Sequence, residues 1–217
     1  MSKKKKFVNA LNPNETLKRL YKKYPDAYCE LTHKNPYELL IATILSAQCT
    51  DERVNKVTPP LFKTFPTPSD MAKAPVEKIE ELVKSTGFYK NKAKNIKQCC
   101  QDICDKHAGT VPQDVDSLVA LAGVGRKTAN VVLGVAFKIP NGIVVDTHVS
   151  RISQRTGLSK NKTPEKIEQD LIALVPKKNW IQLSHQMIFL GRQICKARNP
   201  HCDECPLSSI CPKNDYQ

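Results

Sequence analysis

Four cysteines stand close together near the end of the chain, at Cys195, Cys202, Cys205 and Cys211. Four thiolates can bind one Zn2+ ion or a [4Fe–4S] cluster. Structural zinc usually takes its ligands as two close pairs, whereas this segment has one close pair between two longer intervals. The spacing therefore favours the cluster and leaves zinc as an alternative. The first interval contains Lys196 and Arg198, so a loop held by the metal centre would present two cations to a phosphate.

A second candidate is the segment Gly123-Val124-Gly125, which lies between two stretches with helical patterns. Two glycines allow a tight reversal of the chain and let another backbone approach closely. The free N–H groups at the start of the second helix form a site for an anion such as a DNA phosphate. The simpler interpretation is an ordinary αα-hairpin without a ligand, and a Gly-x-Gly alone does not decide between the two.

Lys127 falls in the first turn of the second helix of this hairpin. The positive end of the helix dipole and the neighbouring Arg126 both disfavour an ammonium group there. A lysine with a lowered pKa is a nucleophilic amine that can form a Schiff base. The alternative is a lysine that only contacts a phosphate, and position alone favours that alternative.

Asp146 follows the β-branched run Ile143-Val144-Val145 and precedes a predicted helix at residues 147–155. The simplest interpretation is a helix N-cap, for which aspartate is well suited. A carboxylate beside an amine can also accept a proton and stabilise developing positive charge. His148, in the first turn of the same helix, is expected to support the site rather than to catalyse.

The elements that must position these residues are almost all helical by their apolar spacing, caps and glycine stops. Only residues 143–145 look extended, and they are too few to form a sheet. We therefore predict an all-α fold. The predicted helices cover residues 36–45, 75–87, 91–106, 118–121, 126–137, 147–155, 164–175 and 180–194.

The charge of the chain points to a polyanionic partner. The formal net charge is +13, from 34 basic and 21 acidic residues. Residues 1–23 hold eight bases and one acid, yet the rest of the chain still has a net charge of +6. Basic charge outside a tail is typical of nucleic-acid binding, although a lysine-rich surface explains the charge equally well. The lysine run at residues 3–6 is expected to be a mobile arm.

Composition limits the class of protein. With 217 residues, 40% hydrophobic and 25% charged, the chain is long enough for one or two folded domains. The longest uncharged apolar stretch, residues 39–50, is too short to span a bilayer. No apolar segment follows residues 3–6, so we expect no secretory signal and no disulfide framework. The five remaining cysteines are expected to be buried apolar thiols; they are Cys29, Cys49, Cys99, Cys100 and Cys104.

Several motifs, and their order along the chain, resemble those of the endonuclease III family of the helix-hairpin-helix DNA glycosylase superfamily. They are Leu45-Ser46-Ala47-Gln48, Gly87-Phe88-Tyr89, the stretch from Leu121 to Asn130, Val145-Asp146-Thr147-His148 and the four cysteines. The resemblance covers roughly residues 36–212, most of the chain. It favours phosphate binding at Gly123, Gly125 and Arg126 over a hairpin without a ligand.

The resemblance implies two helical lobes with a DNA cleft between them. One lobe, residues 29–139, would be a helical barrel with the helix-hairpin-helix. The other, residues 1–28 plus 140–217, would hold a [4Fe–4S] cluster. It also implies a monomeric, cytoplasmic protein, associated with the nucleoid in a prokaryote.

The resemblance further implies a bifunctional DNA glycosylase and AP lyase that removes oxidised pyrimidines in base excision repair. Lys127 would be the nucleophile and Asp146 its activator, with strand cleavage by β-elimination. Gln48 would fill the gap left by a flipped nucleotide, although it could merely cap a helix. Phe88 would contact the opposite base where the family commonly has leucine, although it could also belong to the core. The partner would be duplex DNA with damaged pyrimidines or abasic sites, contacted also by His148, Lys196 and Arg198.

Other functions fit less well. An adenine glycosylase would lack the lysine at position 127 and would carry a further C-terminal domain, whereas this chain ends six residues after Cys211. A mismatch-specific thymine glycosylase is also disfavoured by Lys127. A non-enzymatic iron–sulfur DNA-binding protein would not need Lys127 together with Asp146. A ferredoxin-like electron carrier would usually be small and acidic.

Overall fold

The computed structural model describes residues 11–213, so the arm predicted at residues 3–6 lies outside the described residues. None of residues 11–213 lies in a β-strand, which confirms the predicted all-α fold. The helices are α1 Pro13–Lys23, α2 Pro36–Leu45, α3 Asp51–Thr64, α4 Pro68–Lys73, α5 Val76–Val83, α6 Tyr89–His107, α7 Val115–Val119, α8 Arg126–Phe137, α9 Thr147–Thr156, α10 Pro164–Leu174 and α11 Trp180–Gln193. Single turns of 3-10 helix lie at Lys84–Thr86, Lys177–Asn179 and Cys202–Glu204.

Side-chain caps explain where many helices begin. A cap oxygen accepts backbone N–H groups that the first turn of a helix cannot satisfy itself. The N-cap side chains that do so include Asn12, Asn35, Thr50, Thr67 and Asp114. Thr163 is the N-cap residue of α10, but its side chain makes no cap hydrogen bond. That helix instead begins with Pro164, whose fixed φ suits the first helical position.

Three helices, α1, α3 and α4, are not among the predicted elements. The reason is clearest in α3, which contains Pro59 and Pro60. A proline inside a helix costs about 3 kcal/mol because it removes a hydrogen bond and crowds the preceding turn. The helix persists because one face buries Val54, Val57 and Leu61 in the core.

The chain divides into two compact units. The first, which we call the hairpin unit, is Cys29–Asn141 and contains α2 to α8. Apart from Glu38 in its first turn, helix α2 is buried from Tyr37 to Leu45, with α3, α6 and α8 packed against it. Asn141 donates a hydrogen bond to Asn130 Oδ1 (3.0 Å), which ties it to α8. The hairpin unit therefore extends two residues past Ile139, where the sequence places the end of the barrel lobe.

The second, which we call the cysteine unit, joins the described residues before Cys29 to those from Gly142 onward. Helix α11 packs against α9 and α1 around its own hydrophobic core. The segment Ile143-Val144-Val145 is irregular: the two outer residues are buried, and the N–H of Val144 donates to Ser184 Oγ (3.0 Å) instead of to a strand. Among residues 11–213, no helix combines the length and the hydropathy needed to cross a bilayer.

Candidate functional site

The turn between α7 and α8 depends on Gly123. Its φ is +76°, in the left-handed region that favours glycine. A Cβ on Gly123 would lie 2.9 Å from Asn95 Cβ on α6, closer than side chains pack. Gly123 is therefore required by the backbone and by packing within the hairpin unit. The close approach of α6, which adds to the turn requirement, was not predicted from the sequence.

Gly125 is the N-cap of α8, and unlike Gly123 it is required neither by its backbone conformation nor by close packing. Its backbone is extended (φ −93°, ψ 172°), and no heavy atom lies within 4 Å of the position a Cβ would take. Because glycine has no side chain, α8 begins without a side-chain cap. The start of α8 thus offers backbone N–H groups and the positive end of the helix dipole to an anion.

Arg126 and Lys127 are the first two residues of α8, and both side chains are exposed. The amine of Lys127 therefore stands in solvent within the first turn after Gly125. That position suits either a phosphate contact or attack on a bound substrate, as the sequence predicts.

Gln48 and Phe88 are both exposed and both adopt left-handed backbone conformations, with φ of 53° and 48°. Phe88 is 68% exposed, so the alternative interpretation as a core residue is wrong. Gln48 follows α2, and the side chain that caps α3 is that of Thr50, so the alternative of a capping glutamine is wrong as well. A left-handed non-glycine residue costs roughly 1–2 kcal/mol and often marks a functional position.

Asp146 is the N-cap of α9, as the sequence predicts. Its Oδ1 accepts the N–H groups of His148 and Val149, both at 2.8 Å. Both bonds use the same oxygen, so Oδ2 takes no part in the cap. The cap therefore fixes the carboxylate of Asp146 and leaves Oδ2 outside these two hydrogen bonds.

His148 packs against the neighbouring helix α11 in the cysteine unit. A Cβ on Gly191 would lie 2.7 Å from His148 Cβ, so only glycine allows this approach. Arg151 Nη2 lies 3.1 Å from His148 Nδ1 and donates to the carbonyl of Gly191 (2.9 Å). Sequence reasoning did not identify Arg151 or Gly191; the signal was an arginine one turn after His148. These contacts give His148 a supporting position, and its predicted DNA contact stays a prediction.

The four clustered cysteines line one cavity of about 30 Å3 in the cysteine unit. None of them forms a disulfide. Apolar side chains, among them Leu190 and Leu207, line the same cavity, and burial raises the pKa of the Cys205 and Cys211 thiols. Four unpaired thiols around an apolar cavity are a donor set that fits an iron–sulfur cluster, whose binding would displace the thiol protons.

The loop between Cys195 and Cys202 is held by the buried Arg155 of α9. Its Nη1 donates to Cys195 Sγ (3.4 Å) and to the carbonyl of Lys196 (2.7 Å), and its Nη2 donates to the carbonyl of Ala197 (3.0 Å). The side chains of Lys196 and Arg198 are exposed. The predicted cationic loop therefore has a fixed backbone and solvent-facing charges.

The predicted residues fall into groups within the two units. Gly125, Arg126 and Lys127 meet at the start of α8 in the hairpin unit, which also contains Gln48 and Phe88. The cysteine unit contains Asp146, His148, the cationic loop and the cavity lined by the cysteines. An encounter of Lys127 with Asp146 at a substrate stays a prediction.

Comparison with known proteins defines the class first. The model of the HhH-GPD superfamily of base excision DNA repair proteins matches residues 41–177. The model of the iron-sulfur binding domain of endonuclease III matches residues 195–211. The chain is thus a helix-hairpin-helix base excision repair protein with an iron–sulfur domain. The second match confirms the [4Fe–4S] prediction over the zinc alternative.

Individual relatives narrow the class. Endonuclease III from Synechocystis sp. is 52% identical over 198 residues, 91% of this chain and 90% of that protein. Endonuclease III from Bacillus subtilis is 50% identical over 189 residues, 87% and 86% of the two chains. The structure of a trapped endonuclease III–DNA covalent intermediate is 48% identical, with a TM-score of 0.89 over 94% of this chain and 97% of that one. The chain belongs to the endonuclease III family.

Proposed function

We propose that this chain is a bifunctional DNA glycosylase and AP lyase that removes oxidised pyrimidines from duplex DNA, with Lys127 as its nucleophile. The observation that carries the proposal is the exposed amine of Lys127 in the first turn of α8, directly after a helix N-terminus without a side-chain cap. This position lets one segment hold a phosphate and present an amine to the adjacent sugar.

The first step brings the damaged nucleotide out of the duplex. Extrusion costs a few kcal/mol, and less for a base that stacks poorly, which favours lesions over normal bases. Gln48 fills the vacated space and Phe88 contacts the base on the opposite strand. Both side chains are exposed on left-handed turns, so they are free to enter DNA without unfolding the core.

The second step is covalent. The neutral amine of Lys127 attacks the anomeric carbon, and the glycosidic bond breaks with its electron pair leaving on the base. Loss of a proton from the nitrogen and opening of the sugar ring give an iminium between Lys127 and the sugar. The carboxylate of Asp146 accepts the proton that the amine must lose and stabilises the positive charge that develops.

The third step cuts the strand. The iminium acidifies the C2′–H bond, a base removes that proton, and the C3′–O bond breaks with the phosphate as leaving group. Water then hydrolyses the imine and returns the amine of Lys127. No step of this reaction requires an external oxidant or reductant.

Phosphate contacts hold the duplex in register without reading its sequence. These phosphate contacts come from the backbone around Gly125, from the side chain of Arg126, and from the cationic loop with Lys196 and Arg198. Cys195, Cys202, Cys205 and Cys211 would hold the cluster, which would cross-link the segment 195–211 and so keep the cationic loop rigid.

The test uses a labelled duplex with one oxidised thymine and a matched duplex with an intact thymine. We expect strand cleavage at the oxidised thymine without alkaline treatment, and none at the intact base. Base release without strand cleavage would make the protein monofunctional and overturn the lyase. DNA binding without base release would reduce it to a binding protein or point to a different lesion.

We also propose that the chain acts as a monomer, which sedimentation in the presence and absence of DNA measures. Its relatives in Synechocystis and Bacillus subtilis are bacterial, and a bacterial chromosome lies in the cytoplasm. We accordingly propose cytoplasmic, nucleoid-associated action if this chain is bacterial.

A further inference from the structure

A lysine of α6 that the proposed mechanism does not use is buried. Lys92 is 6% exposed, and it is the one lysine among the buried side chains of residues 11–213. Its Nζ donates to the carbonyl of Leu45 (2.9 Å) and to the carbonyl of Thr86 (2.8 Å). One ammonium group therefore joins two segments that are 41 residues apart in sequence.

Each of these carbonyls lies just before an exposed left-handed residue, Gln48 in one case and Phe88 in the other. Leu45 is the last residue of α2, three residues before Gln48. Thr86 ends the 3-10 turn, two residues before Phe88. The backbone N–H of Lys92 also donates to the carbonyl of Phe88 (3.1 Å). Lys92 thus contacts the base of the Gln48 turn through its side chain and the Phe88 turn through both side chain and backbone.

The charge of Lys92 is matched to these partners. The last carbonyls of a helix lack intrahelical donors and carry partial negative charge, so an ammonium group satisfies them well. Burial lowers the pKa of Lys92, which shows that the hydrogen bonds work against a desolvation cost. The two hydrogen bonds of Lys92 Nζ fix the spacing between the segments that end at Leu45 and Thr86.

The strain at the two turns requires such support. Residues held in sparsely populated backbone conformations persist only where the surrounding structure determines them. Neither Gln48 nor Phe88 is held by its own side chain, because both are exposed. The carbonyl bonds of Lys92 supply a shared anchor at the base of each turn.

We propose that Lys92 is a positioning residue that couples the Gln48 turn to the Phe88 turn, so that both side chains enter the DNA duplex as one unit. The inference rests on the proposed function, because it concerns how the two side chains hold open a duplex. It predicts that Lys92 matters for duplex substrates and not for the covalent chemistry at Lys127.

The test compares strand cleavage at an abasic site in duplex DNA with cleavage at the same site in single-stranded DNA, where no gap has to be filled. Lys92→Met removes both hydrogen bonds and leaves two buried carbonyls without a donor. We expect the duplex rate to fall about tenfold or more, which is the effect of one to two unsatisfied buried groups. The single-stranded rate should stay within about twofold of wild type, because Lys92 Nζ donates to the segments before the two turns and not to the hairpin that carries Lys127.

Lys97→Met is the matched control. Lys97 lies on the same helix and its Nζ also donates to a carbonyl (2.5 Å), but this carbonyl is that of Ala74, which belongs to neither turn. It should leave the ratio of duplex to single-stranded rates unchanged. Lys92→Arg, which keeps donors on a positive charge, should recover most of the duplex rate.

A coupling measurement separates positioning from general stability. In a Gln48→Ala/Phe88→Ala background, Lys92→Met should change the duplex rate by no more than about twofold, because the side chains it positions are absent. Two results would overturn the proposal. One is an equal loss of cleavage rate on duplex and single-stranded DNA when Lys92→Met is made in the wild-type protein. The other is an undiminished loss of duplex rate when Lys92→Met is added to the Gln48→Ala/Phe88→Ala variant. If Lys92→Met does not fold, Lys92→Gln, a shorter neutral donor, carries the same comparison.

The outcomes distinguish this inference from the proposed function. A wild-type protein that cleaves neither substrate contradicts the lyase activity itself. A wild-type protein that cleaves both, with Lys92→Met unchanged on the duplex, contradicts only the positioning role.

Discussion

Replacing Gly125 with serine separates DNA binding from folding at the hairpin. The extended backbone of Gly125 is the conformation of a serine N-cap, and nothing lies within 4 Å of the position of the new Cβ. A serine cap is a few tenths of a kcal/mol better than glycine, and loss of glycine freedom in the unfolded chain adds about 0.4–1 kcal/mol. The free energy of unfolding should therefore rise by roughly 0.5–1.5 kcal/mol.

The same substitution should weaken DNA binding. The new hydroxyl would accept an N–H group of the first turn of α8 that we propose to contact a phosphate, and the added Cβ would narrow the access of that phosphate to the helix N-terminus. A lost charge-assisted hydrogen bond is worth about 1.5–3 kcal/mol, so Kd should rise roughly 10- to 150-fold. Fluorescence anisotropy with a duplex that contains a non-cleavable abasic analogue measures Kd, and urea unfolding followed by circular dichroism measures stability.

Gly123→Ala is the contrasting variant. It forces alanine into a left-handed conformation, at about 1–2 kcal/mol, and places its Cβ 2.9 Å from Asn95 Cβ. It should lose stability where Gly125→Ser does not. Wild-type affinity in Gly125→Ser, or a loss of stability equal to that of Gly123→Ala, would refute the assignment of the α8 N-terminus to a phosphate.

Two further predictions concern the hairpin unit. Phe88→Gly should leave the free energy of unfolding unchanged or raise it by up to about 1 kcal/mol, because glycine relieves the left-handed strain of an exposed residue. The same substitution should slow cleavage of duplex DNA. Ala108→Gly, at another left-handed position (φ 52°), is the control that should leave cleavage unchanged. Burial raises the pKa of Cys99 from 9.0 to about 12 and that of Cys100 further still. At pH 8 the reactive thiolate of Cys99 should therefore be about a thousandfold scarcer than that of an ordinary thiol, so iodoacetamide should label Cys99 only after unfolding. Mass spectrometry measures the labelling, and a labelled Cys99 in the native protein would contradict its burial.

Much of the fold could be predicted because local signals agree with the tertiary structure. Gly123 and Gly125 bound a short turn, and α8 has the predicted limits at residues 126–137. Asp146 could be predicted as a cap because the chemistry of an N-cap is local. The four cysteines could be assigned to one site because they fall within 17 residues of sequence.

The remainder depends on contacts between distant segments. Lys92 falls on the same face of α6 as Ile96, Cys99 and Ile103, and a lysine on an apolar face was the available signal. Its partners, the carbonyls of Leu45 and Thr86, follow only from the fold. The roles of Gly191 and Asn95 in close packing likewise depend on which helices meet.

Helix α3 was missed for the opposite reason. Pro59 and Pro60 are strong local signals against a helix, and burial of one face outweighs them. The exposure of Phe88 could not be predicted because an aromatic residue is equally suited to a core and to a DNA contact.

Trapping with borohydride tests the role of Lys127 most directly. Borohydride reduces an imine to a stable amine, so a Schiff base becomes a permanent protein–DNA bond. With a duplex that contains one oxidised thymine, the wild-type protein should give a covalent adduct, and peptide mapping should place the DNA on Lys127. Lys127→Ala should give no adduct while it still binds abasic DNA. An adduct of undiminished yield in Lys127→Ala, or one mapped to another lysine, would contradict the assignment of the nucleophile.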